Sequence, residues 1–139
     1  MVSIPISIGE LLDKLSILKV KRKQISNKHK VKEVNKEYDL LSKVYDFSKN
    51  KKIIDLYNEL YEINTKLWKI EDAIRIKEKN NKFDHTFVTL ARKVYYTNDK
   101  RFDVKNKINY ITKSNIVEVK SYEEYGKVYE DQNNQPFAD

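Results

Sequence analysis

This 139-residue sequence predicts a mostly α fold, an antiparallel four-helix bundle dominated by a long helical hairpin. Three observations carry that expectation. Glycine and proline are each present only twice, as Gly9, Gly126, Pro5 and Pro136, so no breaker interrupts the chain from Glu10 to Lys113. Through that stretch apolar residues return every three or four positions, the spacing of one helix face. The polar interruptions between helical segments are only a few residues long, which sets neighbouring helices antiparallel.

The first helix is announced by Ser7-Ile8-Gly9-Glu10, a capping-box pattern in which a serine hydroxyl serves the third amide and a glutamate reaches back. Ile8, Leu11, Leu12, Leu15, Leu18 and Ile25 then form its stripe, interrupted by Arg22, and the helix is expected to fray around residues 27–29. A second, weaker helix is expected over about 31–47, with Val34, Tyr38, Leu41 and Tyr45 on one side and Ser48-Lys49-Asn50 closing it. The third should span 51–79 with the stripe Ile53, Tyr57, Leu60, Asn64, Leu67, Glu71, Ile74.

Asn80-Asn81-Lys82 makes the turn, and Asp84 caps a fourth helix over 84–112. Phe83 and Val88 flank that cap with the spacing of a hydrophobic staple. The fourth face reads Phe87, Ala91, Val94, Asn98, Arg101, Lys105, Ile108. Helices of this length run about 43 Å at 1.5 Å per residue, so the hairpin is expected to project past the first pair as an arm. Val2, Ile4 and Ile6 alternate, as do Val117 and Val119, which predicts a short two-stranded pairing of the termini. The domain is expected to cover 1–129, with 130–139 a disordered tail having little to bury.

Composition excludes several chemistries. Cysteine is absent, and His29 and His85 stand far apart without a ligand-spaced partner, so no metal site and no cofactor are expected. The start lacks the basic and apolar segments of a signal peptide, and no run approaches the ~18 apolar residues of a membrane span, so the expectation is a cytoplasmic protein. Net charge is +7, and Lys14 to Lys32 contains eight basic residues and no acid. Such a stripe either attracts nucleic acid, an anionic membrane or an acidic partner, or is a solvated, lysine-rich face.

Only four basic residues are arginine: Arg22, Arg75, Arg92 and Arg101. Arginine supplies a planar fork of donors that lysine cannot. In a hairpin turning near residue 82, positions summing to roughly 164 share a level, which places Glu71 beside Arg92 and Asn64 beside Arg101. The sharpest expectation is a Glu71–Arg92 contact next to Trp68. The candidate site residues are Arg22, Glu71, Arg75, Arg92, Asn98, Asp99, Arg101 and Lys105. One reading makes them a structural network that fixes helix register. The other makes them an anion site, because Arg75, Arg92, Arg101 and Lys105 outnumber Glu71 and Asp99. Gly9, in the first turn of a helix, suits either an anion on backbone amides or a tight helix contact.

The strings GELLDKLSILKVK at 9–21, LWKIEDAIR at 67–75 and FVTLARKVYYTNDKRFDVKNKIN at 87–109, followed by VEVKSY, resemble a family of small uncharacterised bacterial and phage proteins, classed as a domain of unknown function. The resemblance implies that the arginine-bearing strings are a shared core, and it implies no activity. Glu59 and Glu62 supply only half of the magnesium motif of helical nucleotide pyrophosphohydrolases, and the donors resemble those of helical chorismate mutases only loosely.

Three functions follow as expectations. The first is a non-enzymatic accessory protein engaging a protein partner or an anionic small molecule through the hairpin cluster, as a monomer or a homo-oligomer. The second is an enzyme acting on a phosphorylated or carboxylated small molecule. The third is a nucleic-acid-associated protein using the 14–32 stripe.

Overall fold

Ser7 opens the first helix as expected, its Oγ accepting the Glu10 amide at 3.1 Å. In the computed structural model, which describes residues 1–114, 118–121 and 123–124, this helix is α1 (Ile8–Gln24). It is followed by α2 (Lys28–Leu41), α3 (Lys51–Lys79) and α4 (His85–Thr112). The chain is therefore all-α and bundle-like, as expected. Among the described residues no helix is long and apolar enough to cross a membrane.

The hairpin matches the sequence closely. Asn50 Oδ1 accepts the Ile53 amide at the start of α3, and Asp84 Oδ1 accepts the Phe87 amide at the start of α4. Between them Asn81 takes a left-handed conformation, φ 53°, which asparagine tolerates better than most residues. The Lys82 amide closes the turn on the Lys77 carbonyl at 2.9 Å. Asn98-Asp99 does not interrupt α4. Phe83 and Val88 both remain exposed, so the staple is not formed; Phe83 packs edge-on against Phe87 instead, centroids 5.2 Å apart.

The second helix departs from expectation at both ends. Asn27 does not fray; its Oδ1 accepts the Lys30 amide and starts α2 three residues early. The helix then stops at Leu41 instead of running to Phe47. Residues 43–47 carry valine, tyrosine and phenylalanine, which are weaker helix formers, and the break lets aromatic burial decide. Phe47 packs on Tyr57 of α3 at 5.2 Å and stacks beside Tyr45.

The core is made by α1 against the hairpin. Leu11, Leu12 and Leu15 pack with Ile53, Tyr57, Leu60, Val104 and Ile108. Burying each aliphatic side chain contributes about 1.5–3 kcal/mol. α1 runs parallel to α3 and antiparallel to α4, touching α2 on its remaining side, while α2 has no fully buried residue. Past the end of α1 the hairpin continues toward its turn, where Ile76, Phe83 and Val88 are exposed.

No strand forms among the described residues, so the expected pairing of the termini is corrected. Val2, Ile4 and Val119 are exposed, and Val117 lies outside the described residues, as does the 130–139 tail. Polar contacts join the two ends instead. The Ile8 amide donates to Ser114 Oγ at 3.2 Å, and the Gly9 amide to Asn109 Oδ1 at 2.7 Å.

Candidate functional site

One face of α1 presents Gly9, Asp13, Ser16 and Val20 at successive turns, all buried. Small and polar residues there let α1 lie close to α4. A Cβ on Gly9 would stand 2.5 Å from the Lys105 carbonyl oxygen and 2.7 Å from Asn109 Oδ1. The amides of Ile8, Gly9, Glu10 and Leu11 all have partners within the chain, so the tight-contact explanation of Gly9 holds and the first turn offers no amide to an anion.

One turn on, Asp13 is 1% exposed and sits where α1, α3 and α4 meet. Arg101 grips it with two donors, Nε to Oδ1 at 2.8 Å and Nη2 to Oδ2 at 2.5 Å. Asn64 Nδ2 donates to Oδ1 at 3.0 Å and also reaches Ser16 Oγ at 2.7 Å. The expected level of Asn64 with Arg101 is therefore found, joined through a residue that sequence reasoning did not select. The hydrogen bond to Asp13 raises the Arg101 pKa above its ordinary value, against the opposing effect of burial.

Lys105, one turn further along α4, continues the network. Its Nζ lies 2.8 Å from Glu10, 3.8 Å from Asp13 and 2.6 Å from Glu118. Burial opposes the charge, but the hydrogen bonds to Glu10 and Glu118 outweigh it and the Lys105 pKa rises. Glu10 thus turns its carboxylate to Lys105, where a capping box would direct it back to the helix start. Glu118 also meets Lys120 Nζ at 2.9 Å, and Lys120 lies over the Phe102 ring. Burial works to raise the Glu118 carboxyl; the hydrogen bonds from Lys105 and Lys120 outweigh it and hold it below the ordinary value.

Three cations, Arg101, Lys105 and Lys120, therefore face three carboxylates, Glu10, Asp13 and Glu118. The expected cationic surplus on the hairpin face is corrected: its balancing acids come from α1 and from the segment after α4. A signal for Asp13 was present, since Gly9, Asp13, Ser16 and Val20 share a helical spacing beside the leucine stripe.

The other candidates are spread more widely. Glu71 pairs along its own helix with Arg75 at 3.3 Å, one turn away on an exposed edge of α3. Arg92 and Asp99 are half-buried on α4. Arg22 lies over the Tyr38 ring, 4.3 Å from its centroid, and ties α2 to α1.

Two concavities border Arg101 and Asn98. A cleft of about 370 Å³ opens where α1 gives out, between Val20, Trp68, Glu71, Arg75, Asn98 and Arg101. A smaller pocket of about 120 Å³ lies on the other side, lined by Asn98, Arg101, Phe102, Lys105, Glu118 and Lys120. A broader apolar groove of about 780 Å³, with Leu56, Tyr110 and Ile111, lies on the opposite side of α4. Among the described residues no group of three His, Cys, Asp or Glu side chains is arranged to hold a metal ion.

Residues 2–131 match a family of unknown function, DUF6165. The chain belongs to this family. The DUF6165 match spans both concavities and the whole network from Glu10 to Glu118. No curated protein and no solved structure matches the chain.

Proposed function

We propose that the chain is a binding module that holds an anionic small molecule in the cleft at the end of α1. The observation that carries this reading is the lining of that cleft. Trp68 offers an aromatic face, Asn98 an amide, and the guanidinium edges of Arg75 and Arg101 not engaged by Glu71 and Asp13 offer donors, with Asp72 also on the rim of about 370 Å³ of space. Four of the eight residues selected from sequence, Glu71, Arg75, Asn98 and Arg101, meet there. A concave site with a few convergent polar groups is the usual form of a small-molecule site.

Binding is favoured over catalysis because Asp13 and Arg101 already satisfy each other in a closed network. Catalytic acids and bases are usually poised with shifted affinities for protons and an open side toward substrate. The nucleic-acid reading is weakened because three of the eight cations in the 14–32 stripe have partners within the chain. Lys14 pairs with Glu37, Lys19 lies over Tyr61, and Arg22 lies over Tyr38.

The test uses Trp68, the single tryptophan. Its fluorescence is titrated with phosphate esters, nucleotides, sugar nucleotides and dicarboxylates. A saturable change with one class, weakened by Arg75→Gln, is the expected result. A flat response to every class would remove the reading. Arg75 is exposed, so its substitution leaves the core undisturbed.

A further inference from the structure

We infer that the small pocket between Arg101, Lys105 and Lys120 is a receptor for a terminal phosphate or carboxylate group, and that Glu118 is the resident carboxylate which such a group displaces. The inference rests on the binding reading above and adds to it the chemistry of the ligand's charged end.

The lining is the first argument. Among the described residues around the pocket, Arg101, Lys105 and Lys120 are cations, Asn98 is an amide, and Glu118 is an acid. Arg101 directs Nε and Nη2 at Asp13, while Nη1 lies 3.4 Å from Oδ1 of Asn98, a residue that lines the pocket. That 3.4 Å contact is long, so Nη1 keeps donor capacity for a better acceptor.

Size and position are the second. About 120 Å³ is a third of the neighbouring cleft, space suited to a small charged group and not to a whole ligand body. Asn98 and Arg101 line both this pocket and the larger cleft. A ligand body lying against Trp68 would have its charged end carried past Arg101 toward Lys105.

Charge is the third. Glu118 contributes an acceptor to Lys105 Nζ at 2.6 Å and to Lys120 Nζ at 2.9 Å, and it is less buried than Lys105. Glu10 and Asp13 remain in place behind these cations whether or not Glu118 does. Three cations against two carboxylates leave one positive charge when Glu118 turns away, and an entering anion restores the balance. Glu118 therefore sets the affinity for ligand by competing with it in cis.

The experiment is calorimetric titration of the full chain with inorganic phosphate and with acetate. It compares the wild type, Glu118→Gln and the double variant Glu118→Gln/Lys120→Gln. Glu118→Gln is expected to tighten binding of at least one of the two anions about tenfold, and Lys120→Gln to reverse the gain. Equal affinities in the wild type and Glu118→Gln, or a gain that survives Lys120→Gln, would overturn the inference. Lysine ammonium NMR of the wild type gives a check independent of variant folding. Phosphate should move the Lys105 and Lys120 signals, and unmoved signals at saturation with either anion would likewise overturn it. Trp68 fluorescence separates the two readings: a phosphate gain with a silent cleft removes the cleft alone, and a responsive cleft with no gain removes the pocket alone.

Discussion

Arg101 and Asp13, 88 residues apart in sequence, form a two-point ion pair at the junction of α1, α3 and α4. Asp13 is essentially sealed while the Arg101 side chain keeps 28% of its exposure. Removing the aspartate leaves a partly solvated guanidinium and a buried Lys105 short of one carboxylate. Asp13→Ala is expected to cost about 3–5 kcal/mol. Denaturant midpoints measure this, and a loss below about 1 kcal/mol would show that the network is peripheral to stability.

Gly9→Ala should destabilise the protein, although alanine in a helix is ordinarily worth up to about 1 kcal/mol over glycine. The new methyl would meet the Lys105 carbonyl, which is backbone and cannot swing aside. A net loss of about 1–3 kcal/mol is expected, read as a lower melting temperature. A gain would mean that α1 can retreat from α4 without penalty.

Acid should weaken the Glu118 contact. The folded-state carboxyl lies below the ordinary glutamate value, so its contribution is complete above that value and is lost as pH falls through the lower, folded one. The melting temperatures of the wild type and Glu118→Gln should therefore converge as pH drops from about 6 to about 3. Lys105 has the opposite sign: its pKa is raised above 10.5, so its contribution is complete below that value and lost only at higher pH. A constant gap across the acid range would dissociate Glu118 from the lysine.

α2 should be the least protected helix in hydrogen exchange. It buries no residue fully and is attached through contacts such as Arg22 over Tyr38. Segments with few buried contacts open at a fraction of the global free energy. Tyr38→Ala should release α2 further while the α3 and α4 amides keep their protection. Protection in α2 equal to that of α3 would contradict this.

The hairpin was legible because its signals are local. The absence of breakers gave its length, Asp84 its second start, and the turn position the Asn64–Arg101 level. The network's acids were harder to see. Asp13 is a single carboxylate among leucines, and its importance lies in what α4 brings to it from 88 residues away. Glu71 shows the pull of local neighbours: hairpin register gives only a level, while its carboxylate meets Arg75 one turn away on the same helix. α2 was misjudged at its end because Tyr45 and Phe47 gain more by packing on Tyr57 than by continuing a solvated helix.

Gly9 and Asn109 touch across a separation of 100 residues, and this sets an order of events during synthesis. α1 is made early, yet the surfaces that cover Leu11, Leu12 and Leu15 include Val104 and Ile108. At about 5–20 residues per second, translation leaves those leucines uncovered by α4 for roughly 5–20 s. The basic residues among and after them, from Lys14 to Lys32, give the waiting segment a charge that keeps it dispersed until α4 arrives.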